Sequence, residues 1–269
     1  GFQPGSRSYE RSWIRDGSMT SAALLKFGMS DDVKKYVEWY ASFQYENGMV
    51  PCVVDRRGPD PVPENDSHGE LIFACMEYFR FTRDTAFLRA RWPNIVSAVN
   101  YIQHLRAERM TSVYRDGDEE RRACYGLVTE SISHEGYSAK PMHSYWDNFF
   151  ALKGLKDAAA AAAVLGEKRS MHEYDSLALA FHGDVYRSIA LAMKNRKIGY
   201  VPGCVELGDF DPTSTSIALF PCGEMKNVPE PAFTHSFNKY YEWFVQRAQN
   251  EIEWEAYTPY EIRNVGTFI

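Results

Sequence analysis

No run of apolar residues in this 269-residue chain approaches the roughly 18 that a membrane span requires, so no spanning helix is expected. Paired cysteines are missing too. Cys52, Cys75, Cys124, Cys204 and Cys222 are odd in number and far apart, with no CxxC among them. That fits neither a disulfide framework nor a zinc motif, and predicts reduced, mostly buried thiols. The seven His show no HExxH or comparable spacing, so neither a catalytic metal nor a cofactor is expected. Gly-rich phosphate loops and the GxSxG elbow are absent as well. So is an excess of basic residues: a net charge of −6 is the wrong sign for a nucleic-acid partner. The chain opens on Gly1, without Met or a signal peptide, which reads as a cut-back N-terminus and leaves the compartment open.

Aromatic residues are abundant. Tyr, Phe and Trp make up 14% of the chain within a hydrophobic content of 45%, enough for one large domain over residues 1–269. Tyr and Trp combine an apolar face with a polar tip, so they line sugar and nucleobase clefts as readily as they fill cores.

Strand signal is scarce, and helices separated by irregular loops dominate. Apolar helices start near 13, 69, 144, 213 and 258, each behind a polar or aromatic motif. More amphipathic helices alternate with them near 31, 85, 169 and 234. Gly28 and Gly166 end two of the apolar helices, and six consecutive alanines, Ala158 to Ala163, allow close helix approach. A long loop joins each amphipathic helix to the next apolar one, while short turns close the hairpins. Stacked in a ring, such hairpins put the apolar helices inside and every long loop at one mouth. The fold class is therefore an all-α α/α toroid, with an ordinary bundle as the alternative.

The motifs lie on those loops. Trp13-Ile14-Arg15-Asp16 precedes the first apolar helix, where Arg and carboxylate offer paired hydrogen bonds and the indole a flat face. A capped helix with a first-turn acid is the plain alternative. Asn65-Asp66-Ser67-His68-Gly69 precedes the second, and Asp66 is equally readable as an N-cap. Thr129-Glu130-Ser131, His134-Glu135-Gly136-Tyr137 and Tyr145-Trp146-Asp147-Asn148 crowd the loop before the third.

These residues resemble the six-hairpin glycosidases: glucoamylase, trehalase and the processing and debranching glucosidases on an (α/α)6 barrel. The resemblance implies that about nine of the twelve ring helices are present, the ring being incomplete at both ends. It implies that Arg15 and Asp16 hold hydroxyls of the sugar being cleaved, with Trp13 or Trp146 stacking on it. Asp66, His68 and Tyr145 then belong to the pocket wall, and Tyr260 and Glu261 to its rim. The general acid would be Glu130, with Glu135 and Asp147 as competitors. The general base would fall in a loop beyond Ile269, and an inverting hydrolase needs both carboxylates, roughly 6.5–9.5 Å apart.

The implied function is inverting hydrolysis of an α-glucosidic or related oligosaccharide linkage. A non-catalytic carbohydrate-binding or structural toroid is the second reading. Another toroid enzyme, such as an epimerase, lyase or phosphorylase, is the third, with Arg121, Arg122 and Lys140 available to a phosphate. Self-association through exposed apolar helices is expected of an incomplete ring.

Overall fold

The computed structural model describes residues 10–133, 136–253 and 259–269. The ring begins with α1 (Ile14–Lys26) and α2 (Ser30–Ala41), followed by α3 (Ser67–Thr82) and α4 (Thr85–Arg109). Two short helices, α5 (Ser112–Arg115) and α6 (Glu119–Cys124), occupy the long loop after α4. The hairpin α7 (Tyr145–Leu165) and α8 (Lys168–Arg196) follows, then α9 (Pro212–Ile217), α10 (Ala232–Ala248) and α11 (Ile262–Val265). Short elements cross at one end: β1 (Arg11–Trp13), β2 (Val53–Asp55) and β3 (Gly58–Pro59) form an antiparallel sheet in that order.

The packing follows the alternation in the sequence. α1 packs on α3, α3 on α7, α7 on α9 and α9 on α11, an inner arc. Outside it, α2, α4, α8 and α10 pack on α1, α3, α7 and α9 respectively. Among the described residues nine helices thus build an incomplete (α/α)6 toroid, and α5 and α6 lie outside the ring. The central inner helices α3 and α7 are buried nearly all round: on α3, Leu71 to Met76 are all buried. All five cysteines are free and buried.

Small residues set the spacing of the inner arc. A Cβ on Gly69 would lie 1.9 Å from the carbonyl oxygen of Phe150, and one on Gly154 would lie 2.6 Å from the Cα of Gly69. The α3 and α7 backbones therefore meet glycine to glycine, closer than any side chain allows. Buried alanines at 158, 159, 161 and 162 extend the same closeness along α7. At Gly166 the chain turns left-handed, φ 77°, and its N–H caps the α7 carbonyls of Ala162 and Ala163.

Two local expectations needed adjustment. Trp13 belongs to β1, not to the first helix: Ile14 N–H donates to Cys52 O, tying the start of α1 to the β2 side. Asp66 holds the N-cap position of α3, but its side chain makes no capping hydrogen bond and turns to Arg15 and Trp146.

Candidate active site

Motif-bearing residues at the N-terminal ends of all five inner helices converge on one mouth. Arg15 sits in the first turn of α1, Trp146 in the first turn of α7, and Asp66 and Asp211 immediately precede α3 and α9. Tyr260 lies in a 3-10 turn, Pro259–Glu261, before α11. Arg15, Tyr137, Trp146, Asp211, Ser214 and Tyr260 line a pocket there, with Ser133, Gly136, Ser144 and Thr213.

The geometry is built around a buried cation. Arg15 is 3% exposed; its Nε donates to Asp66 Oδ2 at 3.1 Å and its Nη2 donates to Glu64. Burial alone would lower the Arg15 pKa, but the carboxylates of Asp66 and Glu64 outweigh it and keep the guanidinium charged. The guanidinium lies 5.7 Å from the Trp146 ring, whose Nε1–H donates to the same Asp66 oxygen at 2.8 Å. Across the mouth, Tyr260 O–H donates to Asp16 Oδ1 at 3.0 Å, joining the first inner helix to the last across 244 residues. Arg263 lies 4.8 Å from the Trp146 ring and 4.4 Å from that of Tyr260. Aromatic faces beside an Arg–carboxylate lattice are the chemistry that can stack on CH faces and pair with hydroxyls of a polyhydroxylated ring.

The structure thus brings Arg15, Trp146 and Tyr260 into one pocket, with Asp66 buried behind Arg15 and Trp146 and Asp16 bonded to Tyr260. Other expected wall residues face elsewhere. His68 accepts a hydrogen bond from Val50 N–H through Nδ1 and packs edge-on against Tyr101 of α4, an outer helix. Burial lowers its pKa to about 4, so it is a neutral core imidazole. Tyr145 hydrogen-bonds Ser188 on α8 at 2.9 Å, inside the hairpin interface. Glu261 is drawn into a buried pair with Arg247, at 2.6 and 3.0 Å, and accepts from Tyr240 O–H, which locks α10 to the turn instead of lining the rim. Trp13 is buried against Cys52 and Val53. Of the proposed phosphate ligands, Arg121 and Arg122 are exposed on α6, and Lys140 is exposed without lining the pocket.

The acid candidates separate clearly. Partial burial would raise the Glu130 pKa, but the Arg109 hydrogen bond and the His143 contact hold it below the ordinary value. A carboxylate kept ionised in this way opposes the requirement for a protonated general acid. Asp147 goes the other way: burial, then the charge of Asp66, lifts it well above the usual range, against one hydrogen bond from Ser131 Oγ at 2.7 Å. At 2% exposure, however, it lies beneath the pocket wall. Glu135 lies outside the described residues; Ser133 and Gly136, on either side of that gap, line the pocket.

Three carboxyl groups escaped the sequence reading. Glu64 is the second partner of Arg15 and gave no local signal. Glu70, one turn into α3, is fully buried, and burial, with Asp66 next, raises its pKa well above the ordinary value. Asp211 lines the pocket, but both its oxygens are committed to Ser214 at the start of α9. Its position before an apolar stretch was the available clue.

This fold and mouth define a six-hairpin glycosidase domain. Residues 8–186 match the family model for the bacterial alpha-L-rhamnosidase six-hairpin glycosidase domain, and the chain belongs to that family. A solved GH78 family rhamnosidase of Bacillus sp. GL1 superposes with a TM-score of 0.57 at 16% identity, over 90% of this chain and 26% of that one. An uncharacterized glycosyl hydrolase of Methanocaldococcus jannaschii is 28% identical over 97 residues, 35% of this chain and 16% of the relative. The chain therefore spans about a quarter, or less, of the length of the proteins it matches.

Proposed function

We propose that this chain is the sugar-binding and acid-bearing part of an inverting glycosidase, seating a terminal α-linked sugar at the mouth of the ring. The observation that carries the reading is that Arg15, Trp146 and Tyr260 line one pocket, with Asp66 bonded behind Arg15 and Trp146 and Asp16 bonded to Tyr260. Charged acceptors and donors meet ring hydroxyls bidentately, while Trp146 and Tyr260 take an apolar face. The name of the family makes an α-L-rhamnoside the first substrate to try. Its C5 methyl in place of a hydroxymethyl suits an aromatic wall, whereas an α-glucoside adds a hydroxyl that such a wall does not pair. The α-glucosidic linkage remains the second substrate.

The mechanism is a single displacement with a protonated carboxyl on the leaving oxygen and a carboxylate-activated water on the opposite face. Glu135 is assigned the acid, because the loop residues flanking it line the pocket and its competitors are either ionised or walled off. The second carboxylate that a single displacement requires is left unassigned, and the reading concerns the sugar seat and the acid.

The test is hydrolysis of alkyl and 4-nitrophenyl α-L-rhamnosides and α-D-glucosides, with the first-formed anomer read by NMR. Inversion, together with a Glu135→Gln variant that loses about 10²–10⁴-fold on alkyl glycosides and far less on nitrophenyl ones, supports the assignment. Equal losses on both leaving groups would remove Glu135 as the acid. A non-catalytic binding domain is the alternative, and sugar binding without turnover would establish it.

A further inference from the structure

The loop that carries half of the pocket ends on a second cluster, outside the sugar mouth. Cys124 closes α6, His143 stands two residues before the start of α7, and Glu206 lies in a turn ten residues past the end of α8. Cys124 Sγ is 3.5 Å from His143 Nδ1, which is 2.5 Å from Glu206 Oε1, and the three donor atoms all lie within 4.8 Å of one another. Cys124 and His143 are 4% and 5% exposed. Three different donors from three distant segments therefore meet in a site largely shielded from water.

We propose that Cys124, His143 and Glu206 bind a zinc-class divalent cation that anchors the pocket-bearing loop. Sulfur, imidazole nitrogen and carboxylate oxygen are the donor set of a borderline-soft ion, which completes a tetrahedron with water. Bond lengths of about 2.0–2.3 Å imply ligand–ligand edges of about 3.3–3.8 Å. The Cys124–His143 separation already matches such an edge. The His143–Glu206 hydrogen bond must open by about 1 Å, the ordinary change when a cation replaces a proton between two ligands. Glu206 is pre-aimed, because His143 N–H donates to its two oxygens at 3.0 and 3.2 Å.

The surrounding shell also suits the ion. His143 Nε2 lies 3.4 Å from Glu130 Oε2, which Arg109 holds in place. Metal on Nδ1 moves the imidazole proton to Nε2, where Glu130 accepts it, the carboxylate–histidine–metal arrangement. Arg109 Nε, now 3.0 Å from Nε2, then gives up that contact and keeps its pairing with Glu130. The Cys124 thiol proton leaves to solvent, one per cation bound. Glu130 gains a role as the group that orients His143. The cation would staple together α6, the turn that holds Glu206, and the loop that also carries the pocket residues Ser133, Gly136, Tyr137 and Ser144.

Cobalt titration of the chelator-treated chain tests this directly. The expected result is one equivalent of Co²⁺ giving a thiolate-to-cobalt charge-transfer band that zinc bleaches. That band should vanish in Cys124→Ser and survive in Cys222→Ser, which removes a buried thiol elsewhere. Glu206→Gln removes one of the three protein ligands and should weaken cobalt binding by at least about tenfold, and it decides the matter if Cys124→Ser does not fold. A missing sulfur band, a band that persists without Cys124, or unchanged affinity in Glu206→Gln would each overturn the site.

Discussion

Replacing Glu70 by Gln should stabilise the protein at neutral pH and leave it unchanged near pH 4.5. The Glu70 side chain is fully buried, and neither carboxyl oxygen has a hydrogen-bond partner among the described residues. Burial, reinforced by Asp66 and opposed by Arg15, lifts its pKa well above 4.5. Above that pH the unfolded chain has lost the proton that the folded chain still holds. The native state therefore binds more protons, and stability falls as pH rises from 4.5 to the folded pKa. The loss is about 1.4 kcal/mol for each pH unit in that window. Gln is neutral and nearly isosteric, so it escapes this loss while keeping the same unsatisfied polar burial, which cancels in the comparison. Thermal unfolding of both proteins from pH 4.5 to 8 should show curves that coincide at the acid end and diverge upward. Each kcal/mol should appear as about 2–4 °C in Tm for a domain of this size. Equal destabilisation of Glu70→Gln at every pH would refute the reasoning, because it would mean an ionised Glu70 held by Arg15 or another cation.

Three further outcomes follow from particular contacts. Gly69→Ala and Gly154→Ala each force a Cβ into the α3–α7 backbone contact and should cost about 1–3 kcal/mol or more by urea unfolding; a neutral effect would show that the inner helices separate freely. Glu261→Gln breaks the buried pair with Arg247 and should cost about 3–5 kcal/mol, with the sugar affinity of the folded fraction unchanged; loss of affinity alone would return Glu261 to the rim. Trp146→Phe keeps an aromatic face but removes the N–H bond to Asp66, so unfolding should show a loss of about 1.5–3 kcal/mol while the aromatic face still supports sugar binding; unchanged stability would show that the bond contributes nothing.

Much of the architecture was readable because it rests on local signals. Helix α4 begins and ends where Asp84 and Arg109 mark it, and Gly166 stops α7 through a left-handed turn. The strands were not readable: three residues such as Arg11–Trp13 carry no periodicity, and their pairing with Val53–Asp55 is a tertiary fact. The site divides in the same way. Arg15, Asp16, Trp146 and Tyr260 lie at the ends of inner helices, so placing the helices placed them. Asp66 and His68 are two residues apart at the start of one helix, about 200° around its axis, so only one can face the mouth. The motif gave both, and His68 turned to Val50 and Tyr101. Glu130 read as an acid until Arg109, 21 positions earlier in the chain, was seen beside it. The Cys124–His143–Glu206 cluster spans too many residues for any spacing rule to find.

The most direct measurement is calorimetric titration of this chain with L-rhamnose, glucose, maltose and a deoxynojirimycin-type inhibitor, repeated with Asp16→Asn. The account predicts saturable binding of at least one sugar, preferring rhamnose, that weakens by tenfold or more in the variant. No heat from any of the four ligands, or affinity unaffected by Asp16→Asn, would contradict a sugar seat between Arg15, Asp16, Trp146 and Tyr260.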